Sequence, residues 1–120
     1  MSGGKPLVLS YAACGTCKKA LKWFAERGIG IELRPIVDAP PSAGELAEWI
    51  PKSDRSVRKW LNTSGQSYRA IGKAKVDAAK DEEIVRWLTM DGKLVKRPVV
   101  VTNERVLVGF DEDAYAKTFG

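Results

Sequence analysis

The chain has 120 residues, of which 44% are hydrophobic and 29% charged, a composition that predicts one globular domain and excludes a disordered chain. No apolar run approaches the length of a membrane-spanning helix, and residues 1–5 lack the apolar core of a signal peptide. We therefore expect a cytoplasmic protein with no membrane partner, in a compartment where thiols are kept reduced.

The charge distribution and the small number of metal-ligating residues argue against two further classes of function. The net charge is +5, but lysines such as Lys73, Lys75 and Lys80 alternate with apolar and acidic residues and form no dense basic run. We expect a solvated basic surface and no direct nucleic-acid partner. A structural zinc site takes four thiolate or imidazole ligands, which two cysteines without any histidine cannot supply. No metal site is expected within one chain, although an intermolecular site stays open.

The first third of the chain has the pattern of a strand, a helix and a strand. The apolar residues 6–11 predict a short buried strand. Cys17, Leu21 and Phe24 follow at helical spacing, and Gly28 is suited to end that helix. Partial alternation over residues 31–37 predicts a second strand, which a strand–helix–strand unit makes parallel to the first.

The remainder predicts helices followed by a hairpin and a last helix. Pro40 and Pro41 break the chain, and Ser42 with Glu45 forms a capping box for a helix that Pro51 ends. Further helices are predicted over residues 53–61 and 81–90. Residues 98–101 and 105–108 predict two strands joined by a turn at 102–104, and Asp111 can cap a helix over 112–119. We expect a single α/β domain, residues 1–120, of order βαβ, helices, ββα.

Both cysteines lie in Cys14-Gly15-Thr16-Cys17, between the first strand and the first helix. A Cys-x-x-Cys at such a junction is typical of a thiol–disulfide redox centre. Unpaired N–H groups and the helix dipole favour a thiolate at Cys14, whose pKa we expect to fall to roughly 3.5–7.5, and Lys18 lies one turn further on. Cys17 shares the apolar stripe and should face inward. This predicts an attacking Cys14 and a resolving Cys17, with inert buried thiols or half of a metal site as the alternatives.

Two further segments are candidate parts of the site. Arg97 can hold an anion or a substrate carboxylate beside the Cys14 thiolate, or it is an ordinary surface charge. Pro98 begins a strand, where its missing N–H is tolerated, and in the cis form its backbone would be free to pair with a substrate chain. The sequence does not distinguish cis from the commoner trans form. The composition of residues 62–65 predicts a loop, with Arg69 just beyond.

Taken together, these segments resemble the arsenate reductase (ArsC)/Spx/YffB family over nearly the whole chain. The resemblance implies a thioredoxin-like fold, with a core at about residues 5–40 and 92–120 and a helical insertion at about 41–91. It also implies a cis proline at Pro98 and a reactive thiol at Cys14. The matching residues are Tyr11, Cys14 to Ala20 (Cys-Gly-Thr-Cys-Lys-Lys-Ala), Asn62, Thr63, Ser64, Gly65, Tyr68, Arg69, Asp91, Gly92, Lys96, Arg97, Pro98, Gly109 and Phe110.

The arsenate reductases of the family hold their oxyanion with a cysteine and three arginines, of which Arg97 matches one. Asn62 and Gly109 stand at the other two positions. Losing two cations removes charge-assisted hydrogen bonds worth roughly 1.5–3 kcal/mol each, so efficient arsenate reduction is not expected, although Arg69 can compensate in part. The resemblance thus implies substrate or anion contacts at Lys18, Asn62, Arg69 and Pro98.

The YffB-like branch fits best, because it shares the Asn-Thr-x-Gly and Gly-Phe residues, although the second cysteine is more typical of Spx. This branch implies a glutathione- or thiol-dependent reductase with no tightly bound cofactor, glutathione as co-substrate, and a thioredoxin or glutaredoxin as partner. The alternatives are arsenate reduction and an Spx-like redox regulator that binds the RNA polymerase α subunit. The sequence shows no convincing match to the polymerase-contacting surface of Spx.

Overall fold

Four short strands form one mixed sheet in the computed structural model, which describes residues 5–120. The expectation about a signal peptide falls mainly on residues 1–4, which lie outside the described residues. The sheet order is β2–β1–β3–β4; β1 pairs parallel with β2 and antiparallel with β3, and β3 pairs antiparallel with β4. The strands are β1 (Leu7–Ser10), β2 (Glu32–Pro35), β3 (Val99–Val101) and β4 (Val106–Val108).

The two central strands are apolar on both faces of the sheet. Side chains alternate along a strand, so Val8 and Leu9 point to opposite faces. Val8 pairs with Val100 and Leu9 with Val99, and all four side chains are fully buried. The apolar run at the start of the chain is therefore a strand covered on both sides.

Two helices cover one face of the sheet, α1 (Gly15–Glu26) and α6 (Glu112–Phe119). Trp23 and Phe24 of α1 pack with Tyr115 of α6 against Val8 and Val100. Helix α1 ends at Glu26, two residues before Gly28, the predicted stop. Gly28 has a φ of +67°, which is strained for other residues, and the Ile29 N–H donates to the Phe24 carbonyl. Asp111 caps α6 by accepting from the Asp113 and Ala114 N–H groups.

The other face of the sheet carries the helices that connect β2 to β3. Their buried side chains, among them Leu46, Trp49, Ile84 and Leu88, pack on Leu9 and Val99. The capping box of Ser42 and Glu45 forms as predicted. The elements are α2 (Ala43–Lys52), a 3-10 helix (Val57–Trp60), α3 (Gln66–Ile71), α4 (Lys73–Ala78) and α5 (Asp81–Met90).

Two predictions in this connection were wrong, and two short helices were missed. The helix predicted over residues 53–61 is only the short 3-10 turn, because Asp54 adopts a φ of +55° and the Ser53 Oγ accepts from the Trp60 indole N–H at 3.1 Å. Pro51 does not end α2 but lies in its last turn. Helices α3 and α4 were not predicted, because each has only six residues and their apolar pattern is too short to show a period.

In the part of the chain that the structure describes, no helix is both long and apolar enough to cross a bilayer. The predicted α/β order of βαβ, helices, ββα is confirmed, together with the helical connection between β2 and β3. This topology brings the end of β1 and the start of β3 to one edge of the sheet, because the two strands run antiparallel. The candidate residues Cys14 and Arg97 follow β1 and precede β3 respectively.

Candidate functional site

Cys14 is the residue immediately before α1, with extended backbone angles (φ −89°, ψ 119°). Its N–H donates to the Tyr11 carbonyl at 3.0 Å, and its own carbonyl accepts the first helical bond from the Lys18 N–H at 3.1 Å. The thiol is half-buried and free. The sulfur therefore lies beside the unpaired N–H groups of the first turn of α1, as the Cys-x-x-Cys pattern predicted.

The polar groups around the Cys14 sulfur lower its pKa from the usual value of 9.0. Partial burial opposes ionisation, but the Cys17 backbone N–H, the Cys17 thiol and the Arg97 guanidinium together outweigh it. These groups stabilise the anion rather than the neutral thiol, because they donate hydrogen bonds to the sulfur or carry a positive charge. A thiolate is the nucleophilic form of cysteine, so the site favours the reactive state of Cys14.

Cys17 has the opposite character, although it lies only three residues away. Its side chain is 1% exposed and accepts a hydrogen bond from the Tyr11 N–H at 3.5 Å. Burial raises the pKa of Cys17, and the neighbouring Cys14 sulfur raises it further, against hydrogen bonds from Tyr11 and from the buried Ser10. The pair is thus one accessible sulfur with a lowered pKa next to one shielded sulfur with a raised pKa.

Arg97 approaches Cys14 from the start of β3. The Arg97–Pro98 peptide bond is cis, as the resemblance implied. The Arg97 Nη1 donates to the Lys93 carbonyl at 3.0 Å, and the guanidinium lies 5.2 Å from the centre of the Tyr11 ring. The Arg97 Nε is buried and has no hydrogen-bond partner among the described residues. Only part of the hydrogen-bonding capacity of this guanidinium is therefore used within the chain.

Asn62 contacts the same loop that holds Arg97. Its Nδ2 donates to the Lys93 carbonyl at 3.3 Å, and its backbone N–H donates to the Leu94 carbonyl at 2.7 Å. The Lys93 carbonyl is thus a common acceptor for Asn62 and Arg97. An added Cβ on Gly65 would lie 2.7 Å from the Asn62 Nδ2, so a larger residue there would displace the amide.

Gly109 supports the other side of Pro98. Its N–H donates to the Pro98 carbonyl at 2.8 Å, and its carbonyl accepts from the Tyr115 hydroxyl at 2.8 Å. Gly109 has a φ of +84°, and the aliphatic part of Lys96 lies over its Cα. The residue at this position of the chain therefore has a backbone role and offers no side chain to an anion.

A solvent-open cleft of ≈ 350 Å³ lies next to Arg97. Of the candidate residues, Asn62 and Arg97 line it, whereas Cys14, Cys17 and Pro98 do not. Lys18 and Arg69 are exposed and do not line it either. The roles given to Lys18 and Arg69 stay predictions. The lining residues are Tyr11, Asn62, Gly65, Gln66, Ser67, Lys93 and Arg97.

A larger cavity of ≈ 660 Å³ lies at the opposite end of the sheet, where β1 begins at Leu7 and the β3–β4 turn carries Asn103. It lies far from both thiols. We therefore place the candidate site at the smaller cleft next to Arg97, although the other cavity is larger. Among residues 5–120, no group of three or more His, Cys, Asp or Glu side chains is placed to hold a metal ion.

Sequence reasoning missed Ser10, Lys93, Gln66 and Ser67 as neighbours of the site. Lys93 lies in a loop whose position depends on β3, and Gln66 and Ser67 lie on the short helix α3 that was not predicted. Ser10 had a weak signal, because it is the only polar residue at the end of an otherwise apolar strand.

Comparison with known proteins places the chain in a family. A crystal structure of an ArsC family related protein from Bacteroides fragilis superposes with a TM-score of 0.91 at 45% identity, covering 95% of this chain and 97% of that one. The uncharacterized protein YusI of Bacillus subtilis is 40% identical over 110 residues, which is 91% of this chain and 93% of YusI.

The global transcriptional regulator Spx of Streptococcus mutans is 23% identical over 101 residues, covering 84% of this chain and 73% of Spx. The chain also matches the ArsC family over residues 9–118, which includes β1, both cysteines and most of α6. The fold is that of the thioredoxin-like ArsC structures. The chain belongs to the ArsC family.

Proposed function

We propose that this protein is a thiol–disulfide oxidoreductase in which Cys14 attacks and Cys17 resolves. The contrast between the two sulfurs carries the proposal: Cys14 is accessible, with a lowered pKa, and Cys17 is buried, with a raised pKa. Membership of the ArsC family supports a thiol-based redox function in general. The assignment of Cys14 as the attacking and Cys17 as the resolving cysteine rests on the chemistry of these two residues.

The first step is attack by the Cys14 thiolate on a disulfide, R–S–S–R. The S–S bond breaks, a Cys14–S–S–R bond forms, and one R–S⁻ leaves and takes a proton from solvent. The negative charge on Cys14 disappears in this step. That charge is one of the causes that raise the pKa of Cys17, so mixed-disulfide formation makes Cys17 easier to ionise.

In the second step Cys17 loses its proton to solvent and attacks the Cys14 sulfur, the Cys14–S–R bond breaks, and the leaving R–S⁻ takes up a proton. The two thiols already interact directly, so a Cys14–Cys17 disulfide can form as the second R–S⁻ leaves. The substrate disulfide is reduced to two thiols and the protein dithiol is oxidised to a disulfide. We propose that glutathione or a thioredoxin- or glutaredoxin-type protein in the cytoplasm restores the dithiol.

Mass spectrometry of the protein equilibrated with reduced and oxidised glutathione tests this proposal. We expect an intramolecular disulfide in the native chain, a stable glutathione adduct in Cys17→Ser, and no adduct in Cys14→Ser. An adduct on Cys17 in the Cys14→Ser variant, or an unreactive native protein, would contradict the assignment.

A regulatory role without turnover is a second candidate, because the Spx relative is a global transcriptional regulator. It predicts that the RNA polymerase α subunit binds the chain, and that oxidation of the two cysteines changes this binding. Binding measurements on the reduced protein, the oxidised protein and Cys17→Ser decide this question; absence of binding in both redox states removes the candidate.

A further inference from the structure

The cleft lined by Arg97 has an unbalanced positive charge, and Cys14 is not among its lining residues. Lys93 and Arg97 are the two ionised residues that line it, and the remaining lining residues are uncharged. Neither cation forms a salt bridge with a carboxylate of the described residues. The nearby Asp91 carboxylate accepts from the Lys93 backbone N–H at 2.9 Å instead of pairing with its ammonium group. Both cations are therefore available to an anion from outside the chain.

The two cations lie around one aromatic ring. The Lys93 Nζ is 5.8 Å and the Arg97 guanidinium carbon 5.2 Å from the centre of the Tyr11 ring. The Tyr11 carbonyl accepts from the Cys14 N–H, so this ring is attached to the same turn as the reactive sulfur. A group joined to Cys14 can thus reach the cations without crossing the sheet.

Uncharged hydrogen-bonding groups complete the lining. Asn62 and Gln66 contribute amides and Ser67 a hydroxyl. A carboxylate fits such a lining, because its oxygens accept hydrogen bonds and its charge is opposite to that of Lys93 and Arg97. A cationic group would meet two like charges there.

We propose that the cleft receives the carboxylate end of a small thiol bound to Cys14 as a mixed disulfide, and that Lys93 gives the protein a preference for anionic small thiols. This inference rests on the proposed function, because it needs attack by Cys14 on a disulfide. The atoms balance as in that reaction: the S–S bond of the small disulfide breaks, the Cys14–sulfur bond forms, and one small thiolate leaves.

Three small disulfides of similar size test the preference: dithiodipropionate with carboxylate ends, 2-hydroxyethyl disulfide with neutral ends, and cystamine with ammonium ends. The rate of adduct formation is measured by mass spectrometry in the Cys17→Ser background, where the mixed disulfide accumulates. We expect the order anionic, neutral, cationic, and we expect high salt to reduce the differences.

Lys93→Gln tests the residue, and Lys117→Gln is its matched control. Both remove one positive charge, but Lys117 lies at the opposite end of the sheet, beside the larger cavity. We expect the ratio of the dithiodipropionate to the 2-hydroxyethyl disulfide rate to fall about two- to fivefold in Lys93→Gln, as for an exposed ion pair, and to stay unchanged in Lys117→Gln. Comparing ratios between variants cancels the intrinsic reactivities of the disulfides.

The outcomes separate the two proposals. A ratio that falls equally in both variants, or that does not fall in Lys93→Gln, would overturn the preference while leaving the oxidoreductase function standing. No adduct with any of the three disulfides would overturn the proposed function, and the preference with it.

Discussion

Asn62 and Arg97 donate hydrogen bonds to the same acceptor, the backbone carbonyl oxygen of Lys93, at 3.3 and 3.0 Å. Asn62 lies 31 residues before Lys93 in the chain, and Arg97 lies four residues after it. This shared acceptor joins the helical connection between β2 and β3 to the loop that carries the guanidinium. We therefore expect the Asn62 side chain to help position Arg97 through the Lys93 backbone, without contact with the sulfur.

Replacing Asn62 should weaken the stabilisation of the Cys14 thiolate. Asn62→Ala removes the donor to Lys93 and lets the loop shift, so we expect the pKa of Cys14 to rise, but by less than in a variant that removes the Arg97 charge. Alkylation rates followed against pH in the Cys17→Ser background measure this pKa. Asn103→Ala in the β3–β4 turn, where only the backbone carbonyl bonds to Lys52, is the control and should leave the profile unmoved.

Arg97 itself should set part of the pH dependence. Because Arg97 helps to lower the pKa of Cys14, Arg97→Leu should move the rise of the alkylation rate to higher pH and reduce the thiolate fraction at neutral pH. Arg97→Lys keeps the charge without the planar fork and should give an intermediate profile. Identical profiles for Arg97→Leu and the parent would show that the guanidinium does not act on the sulfur.

Tyr115 should make the fold sensitive to alkaline pH. Burial raises the pKa of its hydroxyl above the usual 10.0, so the folded state holds this proton more tightly than the unfolded state. Its contribution to stability is therefore present below about pH 10 and is lost as the pH rises further. Tyr115→Phe also leaves the buried Gly109 carbonyl without its donor, which should cost about 1–3 kcal/mol at neutral pH.

Urea unfolding at neutral and alkaline pH checks both parts of this expectation. The difference in unfolding free energy between the parent and Tyr115→Phe should shrink as the pH rises past the usual tyrosine value. Tyr68→Phe, which alters a half-buried tyrosine, is the control and should change stability by no more than about 0.5 kcal/mol. A constant difference across the pH range would contradict the linkage to Tyr115.

Gly92 should tolerate no side chain, for a reason unrelated to turn formation. A Cβ at this position would overlap the Ile36 carbonyl oxygen and press on the Val37 backbone, and neither group is a flexible side-chain end. We expect Gly92→Ala to cost more than about 3 kcal/mol or to abolish folding. Gly44→Ala in α2, where the nearest atom is the Ser42 Oγ at 4.0 Å, should instead stabilise by about 0.5–1 kcal/mol. Thermal unfolding of the two variants compares them directly.

Elements with a local cause could be predicted from the sequence. Helix α6 begins after Asp111, α2 begins after Ser42 of the capping box, and α1 ends just before Gly28, because each boundary depends on hydrogen bonds between near neighbours in the chain. The position of Cys14 at the start of α1 follows from the same local pattern. The inward direction of Cys17 follows from helical periodicity alone.

Elements with a tertiary cause could not be predicted. Helix α4 has a single buried residue, and its last carbonyls accept from Arg58, which lies 18 residues before Val76. The 3-10 turn replaces the predicted helix because Trp60 is fully buried and bonds to Ser53. Both outcomes depend on contacts between segments that are distant in sequence, and no period in the chain encodes them.

The candidate site likewise has features with a local cause and features with a tertiary cause. The sequence alone predicted the arrangement of the two cysteines, since a Cys-x-x-Cys that opens a helix places one sulfur at the dipole and the other in the core. Only the tertiary structure decided what surrounds that sulfur. Antiparallel pairing of β1 with β3 brings Arg97 to Cys14, and the bonds of Asn62 to the Lys93 loop enclose the charged cleft, because residues far apart in the chain meet only once the sheet has formed.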